Sequence, residues 1–227
     1  MTKTALAAAA LAAFSLSAQA VTVVQWDFEA AAPPVASITW SGIAASLGSG
    51  FASGVHATSS TWSAPAGNGS SKSVSANNWS VGDYWQFSFS TTGYTGLAVA
   101  FDETGSNTGP RDFALAYSTN GVSYTNFAAY SLINSTWSAG TAVGTTTFTY
   151  DLSAITALNN AAAVTLRLID TSTTAINGTT VAATGTSRVD NFTVNMTPVP
   201  EAETAAMLLA GLTALGFMLG RRHRHRD

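Results

Sequence analysis

From Tyr84 onward the chain alternates. Trp85, Phe87 and Phe89 are separated by Gln86 and Ser88 and framed by Tyr84 and Ser90, while Leu97, Val99 and Phe101 are separated by alanines and followed by Asp102. A period of two sends successive side chains to opposite faces of an extended strand; a helix would need apolar residues every three to four positions. The same period returns at Phe113, Leu115 and Tyr117, at Phe148, Tyr150 and Leu152, and at Val164, Leu166 and Leu168. These segments are short and are divided by clusters of Gly, Ser, Thr and Asn, the residues that turn a chain. Each strand has one apolar face to bury, and packing two sheets face to face buries all of them at once.

Other segments complete that reading. Ser118-Thr119-Asn120-Gly121 supplies an Asn-Gly pair suited to a tight hairpin turn, after which Tyr124 to Ser131 can return alongside. A closing strand is expected around Val189 to Met196, where Val189 is out of phase with Phe192 and Val194, so a bulge is predicted near Asp190-Asn191. With Val21 to Glu29 at the start, about eight strands are expected. The fold class is therefore all-β, an antiparallel two-sheet β-sandwich of the jelly-roll type. Trp85, in phase with the core phenylalanines, belongs inside. The interval Ser41 to Asn78, rich in Ser, Gly and Ala, reads either as one or two short edge strands or as a long loop.

The two ends differ from this middle. Lys3 precedes a small and apolar run, Ala5 to Leu16, and Ala18-Gln19-Ala20 is an A-x-A cleavage site, so residues 1–20 read as a signal peptide for signal peptidase. Residues 198–227 hold Val199-Pro200-Glu201-Ala202-Glu203, an uncharged stretch from Ala205 to Gly220, and the basic run 221–226. Sixteen helical residues span roughly 24 Å against a hydrocarbon layer of roughly 30 Å, which makes a single, marginal membrane helix. Arg221, Arg222 and Arg224 act as its stop and stay cytoplasmic. Residues 21–197 remain as one ectodomain, long enough to bury its own core.

Charge narrows the function. Between residues 21 and 197 the fixed cations are Lys72, Arg111, Arg167 and Arg188, four against nine carboxylates, a formal balance of −5. A nucleic-acid partner needs a cationic stripe, and this domain has none in its sequence. Cysteine is absent, which removes disulfides and thiolate metal sites. His56 is the domain's one histidine, so a Ser-His nucleophile would rest on it alone. Asp102 and Glu103 are neighbours, and neighbours on a strand face opposite ways, whereas glycosidase chemistry needs two carboxylates converging on one bond. The expectation is a protein that is not an enzyme.

The tail 198–227 resembles the PEP-CTERM sorting signal of Gram-negative bacteria. Val199, Pro200 and Glu201 match the motif, and Ala202 stands where the family usually has a second proline. The resemblance implies processing by an exosortase-like enzyme, transient anchoring in the inner membrane, and delivery to the cell surface or the extracellular space. In the middle, Asp83-Tyr84-Trp85-Gln86-Phe87, Thr108-Gly109-Pro110, Tyr117-Ser118-Thr119-Asn120-Gly121 and Arg188-Val189-Asp190-Asn191-Phe192 are similar to galactose-binding-like jelly rolls. The sorting-signal resemblance implies a structural or adhesive role in an exopolysaccharide-associated layer, with extracellular polysaccharide as partner. Carbohydrate binding is the alternative, and a polysaccharide hydrolase comes third.

Two kinds of site follow. Trp26-Asp27-Phe28-Glu29 resembles the opening strand of sandwich carbohydrate-binding modules, in which a carboxylate joins an aspartate of the closing strand around a structural calcium; Glu29 and Asp190 match, with Asp27 a third ligand. Flat aromatic faces stack on sugars. Trp62, Trp79 and Trp137, flanked by Ser, Thr and Asn, are the expected stacking platforms.

Overall fold

The computed structural model describes residues 18–32, 35–199 and Gly211. The apolar run 5–16, Pro200, Glu201 and the stop residues Arg221, Arg222 and Arg224 lie outside the described residues, and so, apart from Gly211, does the stretch 205–220. No helix among the described residues is long and apolar enough to cross a membrane. Ala18 and Ala20 are exposed and precede the first strand, and Val199 is exposed just after the last.

Ala20–Val199 forms one unit, and it is all-β. Its strands are β1 Val21–Trp26, β2 Ser37–Ala44, β3 Gly50–Ser60, β4 Trp62–Ser63, β5 Val74–Ala76, β6 Tyr84–Phe89, β7 Tyr94–Gly105, β8 Asp112–Ser118, β9 Thr125–Ser131, β10 Thr147–Asp151, β11 Val164–Asp170 and β12 Ser187–Pro198. One sheet runs β10-β7-β12-β5-β4, with β1 also pairing β12; the other runs β2-β3-β6-β11-β8-β9. Every pairing is antiparallel.

The expected alternation sets the packing. Trp85, Phe87, Phe89, Val164, Leu166, Leu168, Phe113 and Leu115 of the second sheet are buried against Leu97, Val99, Phe101, Val189, Phe192 and Val194 of the first. Phe87 stacks on Phe192 with centroids 3.6 Å apart, joining the two layers. The bulge in β12 is present: the register with β7 shifts between Asp190 and Thr193, and Asn191 sits at φ 49°. Asn and Asp tolerate that conformation better than other side-chain-bearing residues.

Two expectations change. The Asn120-Gly121 connection is a six-residue loop, 119–124, in which only Gly121 of the pair has a positive φ. Asn120 instead accepts the backbone N–H groups of Val122 and Ser123, a side-chain turn that closes the loop without a two-residue hairpin. The interval 41–78 is strand-rich, and β3 is a long internal strand rather than an edge. Its inward positions are Ala52, Gly54 and His56, too small or too polar to read as apolar alternation. They are small because tryptophans fill the space: a Cβ on Gly54 would lie 2.5 Å from the Trp62 ring and 3.2 Å from Trp85.

Candidate functional site

The three expected stacking platforms are core residues. Trp62, Trp79 and Trp137 are only 2, 6 and 4% exposed. Each indole N–H is satisfied internally, donating to the Ser37 carbonyl at 2.9 Å, the Ala76 carbonyl at 2.8 Å and the Thr146 hydroxyl at 3.0 Å. Polar neighbours in sequence reflected the other face of each segment, not the ring's surroundings. Trp62 packs on Trp40 and Trp85, Trp79 on Trp85 and Phe113, and Trp137 lies under the Arg188 guanidinium. No sugar reaches these faces.

The carboxylates expected to hold calcium grip one loop from two sides. Glu29 Oε1 accepts the Lys72 N–H at 2.9 Å, and Asp190 Oδ2 accepts the Asn68 N–H at 2.8 Å and the Ser70 hydroxyl at 2.5 Å. Asp190 Oδ1 accepts the Asn191 N–H, and Asp27 Oδ1 accepts the Glu29 N–H at 3.2 Å. Asp190 is fully buried and stands across from Asp102 in register. Burial, followed at a distance by the Asp102 charge, pushes its carboxyl up to about 6. The donor chemistry suits a hard cation, all oxygen, but no group of three or more acidic or histidine side chains among the described residues is placed to hold one.

One end of the sandwich carries a buried polar cluster. Ser60 Oγ and Asp83 Oδ2, the latter at 3.5 Å, both face His56 Nδ1, and His56 Nε2 has no hydrogen-bond partner among the described residues. A nucleophilic triad needs the hydroxyl and the carboxylate on different ring nitrogens, so this arrangement does not make one. Burial pushes His56 down to about 4, leaving it neutral, and pushes Asp83 up. Glu103, fully enclosed, accepts the Tyr130 hydroxyl at 2.6 Å and the Ser187 hydroxyl at 2.9 Å. Its carboxyl is pushed up to about 8 by burial, and that of Asp170 to about 7 for the same reason. These groups are sealed from substrate.

The open chemistry lies on the outer face of the second sheet. Because β6, β11 and β8 put their apolar residues inward, Tyr84, Gln86 and Ser88, Thr165 and Arg167, and Ala114, Ala116 and Ser118 point outward. Register sets Gln86 beside Arg167 and Arg167 beside Ala116. The small side chains on β8 leave room for Tyr124, at the start of the β9 arm, to reach back over two strands. Its ring covers the Arg167 guanidinium at 3.7 Å, and the Tyr84 ring covers it at 3.8 Å. Arg167 Nε donates to Gln86 Oε1 at 2.9 Å, and the Tyr124 hydroxyl donates to the same oxygen at 3.3 Å. Each cation–π contact contributes about 0.5–1 kcal/mol at an exposed site, enough to hold the fork in one orientation. Phe51, 61% exposed, lies beside Ser88 on the neighbouring β3. Alternation puts Tyr84 and Gln86 on the solvent side of their strand, and Arg167 is visible in the sequence only as a charge; nothing local announces that strands 81 residues apart are paired.

No protein-family model matches the chain, and no curated protein matches it. Solved structures overlap it at low similarity. The CBM22-1–GH10 modules of Clostridium thermocellum xylanase 10B, complexed with xylohexaose, share 15% identity over 63% of this chain and 26% of theirs, with a TM-score of 0.42. The tandem CBM22-1–CBM22-2 domain of Paenibacillus barcinonensis Xyn10C shares 11% over 83% of this chain and 48% of its own, with a TM-score of 0.44. The K3 adhesin domain of Lys-gingipain from Porphyromonas gingivalis shares 16% over 77% and 98%, with a TM-score of 0.40. The chain thus spans less than half the length of the first two. Likenesses this distant assign no ligand, which has to come from the chain's own side chains.

Proposed function

We propose that this chain is an exported glycan-binding protein of the jelly-roll kind, and that the outer face of the second sheet is where it meets a polysaccharide. The observation that supports this is the Tyr84–Arg167–Tyr124 stack with Gln86 at its edge. Sugars offer an apolar C–H face and a rim of hydroxyls; an aromatic ring matches the first, and guanidinium and amide N–H groups match the second. Gln86 Nε2 has no partner among the described residues and is free to donate. The resemblance of residues 198–227 to a sorting signal supports delivery through the inner membrane to the cell surface, with an exosortase-like enzyme and signal peptidase as processing partners. Binding to a surface polysaccharide and adhesion within that layer are then one activity described at two scales.

A glycan array probed with the purified protein tests the reading. Saturable binding to a glycan, lost in Tyr124→Ala and Tyr84→Ala while the far-ultraviolet spectrum is unchanged, is the expected result. Binding that survives both substitutions would move the site off this face. Delivery is tested separately: Glu201→Ala should leave the protein in the inner membrane at unprocessed mass, and normal release of that variant would end the sorting reading.

A further inference from the structure

The glycan-binding reading leaves the class of sugar open, and the state of Arg167 narrows it. We infer that the outer face of the second sheet selects an acidic glycan, taking a sugar carboxylate on the free edge of the Arg167 guanidinium between Tyr84 and Tyr124. This rests on the face being the glycan site.

Four fixed cations serve the domain, and three are spoken for. Arg111 donates from Nε and Nη2 to Asp112 at 3.0 Å each. Arg188 donates to the Ala66 carbonyl and covers the Trp137 ring. Lys72 Nζ reaches the Ala31 carbonyl at 3.4 Å. Arg167 differs from all three. Its Nε is engaged by Gln86 and both faces of its plane are covered, but among the described residues nothing accepts from Nη1 or Nη2 and no carboxylate lies within ion-pair distance.

The covered faces matter as much as the open edge. A free arginine on a surface samples many rotamers, and ordering it opposes binding. Here two rings and one amide have already fixed the plane, so the remaining N–H groups project along one edge as a rigid fork. A planar carboxylate can accept two parallel hydrogen bonds from such a fork, which a neutral hydroxyl cannot.

The rest of the face does not oppose an anion. Its outward residues on β3, β6, β11 and β8 are Phe51, Val55, Ile169, alanines and uncharged polar side chains, apart from Arg167 and Asp112. Asp112 stands at the end of β8 and is neutralised by Arg111. The remaining acids of the second sheet and its approach point inward, Asp83 and Asp170 being buried. The domain's negative balance is therefore carried elsewhere.

The experiment compares an oligogalacturonate with its methyl ester, the same sugar without the charge, by calorimetric titration of the full-length protein, with a sulfated galactan as a third probe. The acid should bind about tenfold or more tighter than the ester, and the difference should shrink as salt rises. Arg167→Gln should bring the acid down to the level of the ester, and Arg167→Lys should recover little of it, because an ammonium lacks the fork. Acid and ester binding equally would overturn the inference and leave the glycan reading intact. Preference for the sulfated glycan, with no gain of acid over ester, would also overturn it. No binding to any glycan on the array would remove both. The comparison of acid with ester uses the unaltered protein, so it stands whatever the variants do to folding.

Discussion

Strand β6 serves two regions with opposite demands. Its inward side places Trp85 among Trp40, Trp62 and Trp79, with ring centroids 5.4–6.3 Å away, in a space cleared by Gly54. Its outward side places Tyr84 and Gln86 around Arg167, all three half-buried. Both regions are aromatic clusters, yet one is closed and mutually packed, while the other offers free N–H groups and half-covered rings. An aromatic side chain thus carries no role of its own. The face it occupies, and whether anything stands on that face, decides between core and platform.

The largest difference between the regions should appear on truncation. Trp85→Ala removes the ring that touches three other tryptophans and should cost about 3–5 kcal/mol, a large part of a domain stability of roughly 5–15 kcal/mol. Trp62→Ala and Trp137→Ala should each cost several kcal/mol as well, since both rings are buried and each donates an internal hydrogen bond. Chemical denaturation measures this. A cost under about 1 kcal/mol at Trp137 would return that ring to the surface.

The contrast sharpens with pH, because the closed region holds its acids protonated. Glu103 is pushed up to about 8 from an ordinary 4.5, chiefly by burial. Its folded form keeps a proton that the unfolded chain releases, so its contribution is fully present below pH 4.5 and is lost as pH rises through about 8. Asp170, raised to about 7, acts in the same direction. His56 opposes them at lower pH: depressed from 6.5 to about 4, it withdraws stability as pH falls across that interval. Above pH 6.5 only the acids remain, and stability should fall from pH 6.5 to 8.5 by an amount on the order of a few kcal/mol. Glu103→Gln should flatten that slope, since an amide can still accept from Tyr130 and meet Ser187. A stability flat across this range in the unaltered protein would show Glu103 to be ionised in the fold.

A further effect concerns the loop held by Glu29 and Asp190. If a hard cation occupies that place, saturating calcium at about a hundred times its dissociation constant would add about 2.7 kcal/mol, and chelator would remove it. Asp190→Asn should then abolish the response. Melting curves identical with and without chelator would leave both carboxylates as the loop clasps seen here.

How much of this was legible follows from the same two regions. The strands whose inward residues are large, β6, β7, β8, β10 and β11, announce themselves by alternation, and the phase slip at Val189 marked the bulge at Asp190-Asn191. Strand β3 did not, because Ala52 and Gly54 are kept small to admit rings from Trp62 and Trp85. The tryptophan platforms misled for a related reason: Ser and Thr beside Trp62 and Trp137 describe the neighbours' exposure, while the ring turns the other way. Arg167 was hidden by distance. Its two covering rings come from positions 84 and 124, and only the strand order β6-β11-β8-β9 brings them together.

The smallest effect on stability should belong to the residue with the largest expected effect on binding. Tyr124 is half-covered, and its hydroxyl shares one acceptor with Arg167. Tyr124→Ala removes one cation–π contact and one long, part-buried hydrogen bond of 3.3 Å, so its cost should stay near or under about 1 kcal/mol. The same change frees one face of the Arg167 plane, and the guanidinium regains the rotamers that the stack had removed. Glycan affinity should therefore fall while the melting temperature barely moves, and Tyr124→Phe, which keeps the ring but not the hydroxyl, should retain most of the affinity. Loss of stability and binding in equal measure by Tyr124→Ala would mean that the ring is part of the fold's packing, and the outer face would then differ from the tryptophan cluster only in degree.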